Sequence, residues 1–147
     1  MGLNERIKLS KWADILSNNF QAYVNLKLKP YDLKFAEFIC LLNLYENDGS
    51  HQDFIIKRKY TDKSAITRTL QSLEKKGFVR REKSEEDKRI NCVYLTEKAL
   101  DYKEELDKII DEWEEFLNDC IPRDEYNKIA TALEDITIKV LTKLGKK

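Results

Sequence analysis

The stretch from Thr61 to Thr96 constrains this chain most. A short amphipathic segment, a β-like run, a charged turn and a second β-like run follow one another without interruption. Between Asp62 and Leu73, Ile66, Leu70 and Leu73 recur at helical spacing and define one apolar face. The opposite face carries Lys63, Ser64, Thr67, Arg68 and Gln71, with Thr61 at its entrance. Small hydroxyls let a helix approach base edges closely, and Lys, Arg and Gln offer donors to guanine, adenine and phosphate. Such a face has the chemistry of a major-groove reader. Asp62 or Thr61 can cap the helix start, and Gly77 behind Lys75 and Lys76 supplies a stop with cations near the last carbonyls.

Beyond Gly77, the segment Phe78 to Lys83 and the segment Ile90 to Leu95 are rich in β-branched and aromatic residues and flank the polar run Ser84 to Arg89. Two strands around a charged tip make a β-ribbon, and a helix followed by a β-ribbon predicts a winged helix. The run Leu73-Glu74-Lys75-Lys76-Gly77-Phe78-Val79-Arg80-Arg81, then Asp87-Lys88-Arg89, then Val93-Tyr94-Leu95-Thr96, resembles the multiple antibiotic resistance regulator (MarR) family of winged-helix transcription factors.

That resemblance carries several expectations. The chain is expected to be mainly α with a small two-stranded β-wing, as one domain over 1–147. A winged helix-turn-helix lobe would cover 33–95, and a helical dimerisation lobe would cover 1–28 and 96–147. Asp87, Lys88 and Arg89 would form the wing tip, with Asp87 orienting Arg89 toward the minor groove. The physics agrees, because a narrow minor groove concentrates negative potential and a guanidinium is weakly hydrated. The implied function is a homodimeric, sequence-specific regulator of double-stranded DNA, most commonly a repressor of a palindromic operator. Its implied signal is a small aromatic or phenolic ligand, for which Tyr23, Phe35, Phe38 and Tyr45 supply aromatic surface. The sequence departs from the family where Lys34 replaces a usual Thr and where Ile55-Ile56 replaces a usual Leu-Ala.

Helices are expected around this module: Leu3 to Leu28, Asp32 to Tyr45, and Gln52 to Lys59, with Pro30 separating the first two and a turn cluster at Glu46 to Ser50. Thr96 to Cys120 reads as one long helix with an apolar stripe that includes Ile109, Trp113 and Phe116. Pro122 then opens a last helix with Ile129, Leu133, Ile136 and Val140 as a second stripe. Together with Ile7 and Trp12 of the first helix, these stripes are the expected dimer surface. A two-fold dimer would set two reading helices one DNA turn apart.

The formal net charge of zero is misleading until it is divided along the chain. Residues 51–92 hold 12 Lys and Arg against 7 Asp and Glu, an excess of +5, whereas residues 93–147 hold 9 against 14, or −5. The positive excess falls on the segment assigned to phosphate, so global neutrality does not argue against it. A hydrophobic content of 41% supports a modest core, while 37% charged residues imply a heavily solvated surface. No apolar run approaches the roughly 20 residues needed to span a bilayer, and the N-terminal residues lack the apolar core of a secretory leader. A cytoplasmic protein without membrane association is expected.

Cys40, Cys92 and Cys120 form no Cys-x-x-Cys pair, so neither a zinc knuckle nor a redox dithiol is indicated. Cys40 and Cys120 read as small buried hydrophobes, and Cys92 on a wing strand is the redox candidate. The single histidine, His51, has no set of ligands at metal spacing and reads as a helix-entry residue. No Gly-rich phosphate loop or nucleophile motif is present, so neither enzyme activity nor a cofactor is expected. Two alternatives stay open: a winged-helix module that binds protein instead of DNA, and a cysteine-based redox-sensing regulator.

Overall fold

The computed structural model describes residues 8–59 and 62–145, without the side chains of 56–59. In chain order the described elements are α1 (Lys8–Leu28), a 3-10 turn (Lys29–Tyr31), α2 (Phe35–Glu46), β1 (Ser50–His51), α3 (Gln52–Lys59), α4 (Lys63–Lys75), β2 (Val79–Lys83), β3 (Asn91–Leu95), α5 (Glu97–Asp101), α6 (Lys103–Cys120) and α7 (Arg123–Lys143).

Pro30 starts the 3-10 turn, and Asp32 adopts left-handed φ of 53° before α2 begins at Phe35. The second helix therefore starts later than the expected Asp32, because a left-handed residue cannot sit inside a right-handed helix. Lys34 at the N-cap makes no side-chain cap hydrogen bond. Asn25 of α1 replaces the missing cap: its Oδ1 accepts the Phe35 backbone N–H at 3.0 Å.

The sheet has three strands in the order β1-β3-β2, all antiparallel, where two strands were expected. Ser50 pairs with Val93 and His51 with Cys92, so His51 ends a strand directly before α3. The wing proper pairs Val79 with Leu95 through to Lys83 with Asn91. Gly49 enables the extra strand: its φ of +80° and the 3.0 Å separation between an added Cβ and Tyr94 Cε1 both favour glycine.

One core joins the elements. Val24 and Leu28 of α1, Phe38, Leu41 and Leu44 of α2, Ile55 of α3, Ile66, Leu70 and Leu73 of α4, Phe78, Val93, Ala99, Leu106 and Ile109 form a single buried cluster. Leu106 and Ile109 draw the start of α6 into this core, so Ile109 belongs to the protomer's interior and not to the expected dimer stripe.

The predicted helix from Thr96 to Cys120 is broken. Thr96 caps α5, its side chain accepting the Ala99 N–H, and Tyr102 separates α5 from α6. Tyr102 packs edge-on to Tyr31 at 5.5 Å and tilted to Phe78 at 5.9 Å, which are tertiary contacts that local periodicity does not encode. α6 alone has 18 residues, about 27 Å at the usual rise. No described helix is long and apolar enough to cross a membrane.

Candidate nucleic-acid interface

The α4 helix is anchored by Ile66, Leu70 and Leu73, all buried. Its outward face presents Lys63, Ser64, Arg68 and Gln71 as exposed residues, with Thr67 half-buried beside them. Thr61 lies outside the described residues. Gly77, with φ of +83°, ends the helix turn, and Phe78 N–H returns to Leu73 O at 2.9 Å in a C-terminal capping arrangement.

Two ion pairs fasten the end of α4 to its surroundings. Lys76 Nζ lies 2.9 Å from Glu37 Oε2 and 3.1 Å from Oε1, and donates to Asp32 O at 2.6 Å. Glu37 is buried, so α2 holds the exit of the reading helix by a desolvated contact. On the wing side, Arg81 embraces the Glu74 carboxylate, Nη2 to Oε1 at 3.0 Å and Nε to Oε2 at 3.4 Å, while its backbone N–H reaches Oε2 at 3.2 Å. The Arg81 hydrogen bonds pull the Glu74 carboxyl below its ordinary value. This pair ties helix α4 to strand β2, and the sequence reading did not single out either residue.

The wing turn is built from its own side chains. Ser84 N–H donates to Ile90 O at 2.8 Å, Ile90 N–H to Asp87 O at 3.0 Å, and Asp87 N–H to Ser84 Oγ at 3.5 Å, with Ser84 itself buried. Asp87 then grips Arg89 three times: Oδ1 accepts the Arg89 backbone N–H and Nε–H, and Oδ2 accepts Nη2–H, each at 3.0 Å. The Arg89 hydrogen bonds hold the Asp87 carboxyl below the usual carboxylate value and push the guanidinium up. The Arg89 side chain is 90% exposed, so an oriented cation is presented to solvent at the tip. Lys88 is exposed next to it.

A further contact joins α3 to α4. Gln52 Nε2 donates to Thr67 Oγ1 at 3.1 Å, and Thr67 Oγ1 donates to Lys63 O at 2.9 Å. Gln52 was not among the sequence-derived site residues, since a single glutamine at a helix start carries no local signal of a partner fifteen residues on.

The expected dimer residues divide into two groups. Trp12 and Phe116 are exposed, as are Ile129, Leu133, Ile136 and Val140 on α7, a 21-residue helix with no buried residue. Ile109 and Trp113 are corrections, because both are used within the protomer. Ile109 is in the core, and Trp113 packs at 5.3 Å from Phe20 and 5.2 Å from Tyr23 of α1. Ile7 lies outside the described residues.

The four aromatic ligand candidates do not share one environment. Tyr23 stacks on Trp113 and donates to Glu112 Oε2 at 3.2 Å, and burial, then Glu112, raises its pKa. Phe35 meets Phe20 edge-on at 5.5 Å. Phe38, by contrast, is fully buried, and the Tyr45 hydroxyl is committed to Ala99 O. Phe38 is thereby corrected from pocket lining to core. The cysteines are corrected as well: Cys92 is buried on β3, and Cys120, expected inside, is exposed.

The fold and its surface have close counterparts among known proteins. Residues 33–90 match the family model described as MarR family. The crystal structure of a MarR transcriptional regulator from Methanosarcina mazei Go1 is 30% identical, spans 91% of this chain and 96% of that one, and superposes with a TM-score of 0.85. A mutant MarR from E. coli, solved in complex with operator DNA, is 25% identical over 92% of this chain and 99% of that one, at a TM-score of 0.84. The HTH-type transcriptional regulator SarZ of Staphylococcus haemolyticus is 29% identical over 110 residues, 74% of this chain and 73% of its own length. With an amphipathic helix and an aspartate-held wing arginine placed as the sequence resemblance implied, the chain belongs to the MarR family of transcriptional regulators.

Proposed function

We propose that this chain represses transcription as a homodimer bound to a palindromic operator, with α4 in the major groove and the wing in the adjacent minor groove. The observation that carries the reading is the Asp87–Arg89 fork, which fixes a fully charged guanidinium at 90% exposure. An exposed arginine with no other task loses much side-chain entropy on binding, and here part of that ordering is already done. Residues 33–95 act as the reading lobe, and 1–28 with 96–147 as the dimerisation lobe. Lys63, Ser64, Arg68 and Gln71 meet base edges and phosphates, as expected for the exposed face of a recognition helix.

Dimerisation is supported by the apolar stripe on α7. Ile129, Leu133, Ile136 and Val140 are each more than two-fifths exposed in the protomer and recur at helical spacing. An uncovered stripe of this length is unusual for a soluble monomer and fits a self-complementary two-fold contact.

The signal in this reading is a small aromatic molecule acting where α1, α2 and α6 meet. Phe20, Tyr23, Phe35 and Trp113 form a continuous aromatic cluster there, at the join between the two lobes. A ligand that wedges between these rings would change the separation of the two reading helices and so the affinity for a fixed operator spacing. Stabilisation in a thermal-shift screen with aromatic carboxylates, together with changed operator affinity, is the expected result. A compound that binds and leaves operator affinity unchanged overturns this part.

The decisive experiment is selection from a random duplex library at moderate salt, repeated with Arg89→Ala. A recovered palindrome that the variant binds more weakly is expected. No enrichment at any salt would instead favour a winged-helix module that binds protein.

A further inference from the structure

Thr67 stands on the reading face one turn into α4, yet its hydroxyl is already spoken for within the protein. Oγ1 gives its one proton to Lys63 O at 2.9 Å and receives a hydrogen bond from Gln52 Nε2 at 3.1 Å. A hydroxyl has a single proton, so Thr67 has none left to donate to a base. Its γ-methyl carries no such commitment. The sequence alone placed Thr67 among the hydrogen-bonding readers, and the geometry changes the kind of contact it makes.

We propose that Thr67 reads a thymine in the major groove by contact between its γ-methyl and the C5-methyl of the base, and that Gln52 is the positioning residue holding it in that rotamer. The inference rests on the DNA-binding reading above and deepens it. Thymine is the one base that presents a methyl group in the major groove, and apolar contact with it is a recognised mode of readout.

Gln52 matters because threonine in a helix divides between two side-chain rotamers, its hydroxyl being able to reach a carbonyl of the preceding turn from either. The Gln52 amide rewards only the rotamer in which Oγ1 faces α3. The amide is oriented by the same demand. With the Thr67 proton given to Lys63 O, only the NH2 side of Gln52 can face Oγ1, and Oε1 is left buried without a donor among the described residues. Gln52 also lines a polar cavity of about 160 Å³ with Asp53, Lys63, Arg89, Ile90 and Asn91, at the seam between α3, the start of α4 and the base of the wing. The residue that sets Thr67 therefore sits where helix and wing must be in register.

The test uses the full chain and the operator recovered by selection, with each thymine replaced in turn by uracil, which lacks only the C5-methyl. At one position per half-site, uracil should weaken wild-type binding about fourfold, the value of one buried methyl-sized group. Thr67→Ser should remove that penalty, and Thr67→Val should keep it. Gln52→Ala should shrink the penalty while leaving affinity for a non-operator duplex unchanged, a pattern that partial unfolding does not produce. Gln52→Ala combined with Thr67→Val should restore it, because valine holds one rotamer in a helix without help. The proposal is overturned if the wild type tolerates uracil at every position, or if Thr67→Ser retains the penalty. Failure to bind any duplex would overturn the underlying DNA-binding reading, a result distinct from a bound operator indifferent to uracil.

Discussion

Lys76 Nζ lies 2.9 Å from the buried Glu37 Oε2, and this ion pair connects the last turn of the reading helix α4 to the central helix α2. The lysine is 21% exposed and the glutamate 5%, so the pair is largely desolvated and its two halves depend on each other. The same lysine's backbone carbonyl accepts from Lys98 Nζ at 2.8 Å, which extends the connection to α5. The angle at which α4 leaves the domain is thus set by side-chain chemistry as well as by the apolar core.

Breaking this pair from one side should be costly. Lys76→Ala leaves a buried carboxylate uncompensated and should destabilise the protein by about 3 kcal/mol in urea unfolding, the low end for a buried pair because the lysine keeps some solvent. Adding Glu37→Gln should recover part of that loss. Additive effects of the two substitutions would show that they do not interact.

The wing supplies a test in which simple charge counting and positioning disagree. Asp87→Ala removes a negative charge from a DNA-facing tip, which by itself should tighten binding. If Asp87 orients Arg89, the same change should weaken operator binding. Arg89→Ala should weaken it too and reduce the slope of log affinity against log salt by about one, the loss of one phosphate-like contact. Filter binding or fluorescence anisotropy over a salt series separates the two accounts.

The fork also predicts the titration of Asp87. Its carboxyl is depressed below 3.8 by the Arg89 hydrogen bonds. A depressed folded-state value means that the contribution of the fork is present above the unfolded carboxylate value and is lost as pH falls through the lower folded value. The wing should therefore keep its geometry across the whole range in which operator binding is measured. Side-chain carboxyl NMR should place the Asp87 midpoint below 3.8, and Arg89→Ala should move it up toward that value.

Two substitutions in the helical lobe should behave differently. Ile136→Asp places a charge on the exposed stripe of α7 and should give a folded monomer by sedimentation, with weakened operator binding. Trp113→Ala removes a side chain stacked inside the protomer and should lower stability by about 2 kcal/mol, less than for a fully buried tryptophan. A Trp113→Ala protein of unchanged stability that dissociates would return Trp113 to the dimer surface.

The sequence by itself determined the reading helix and the wing. Ile66, Leu70 and Leu73 keep helical spacing, Gly77 stops the helix, and the Asp87-to-Arg89 contact spans two residues, so each signal is local and survives without a tertiary context. Lys63 to Lys75, Val79 to Lys83 and Asn91 to Leu95 accordingly form where the pattern places them. Only the tertiary structure decided what covers each apolar face. Periodicity marks Ile109, Trp113, Phe116 and Ile129 alike as stripe residues, but the first is core, the second stacks on Phe20 and Tyr23, and the last two are exposed. The break at Tyr102, the strand Ser50–His51 and the Gln52–Thr67 bond were invisible for the same reason. Each is set by a partner distant in sequence, and a one-dimensional pattern records that a residue needs a neighbour without recording which one the fold supplies.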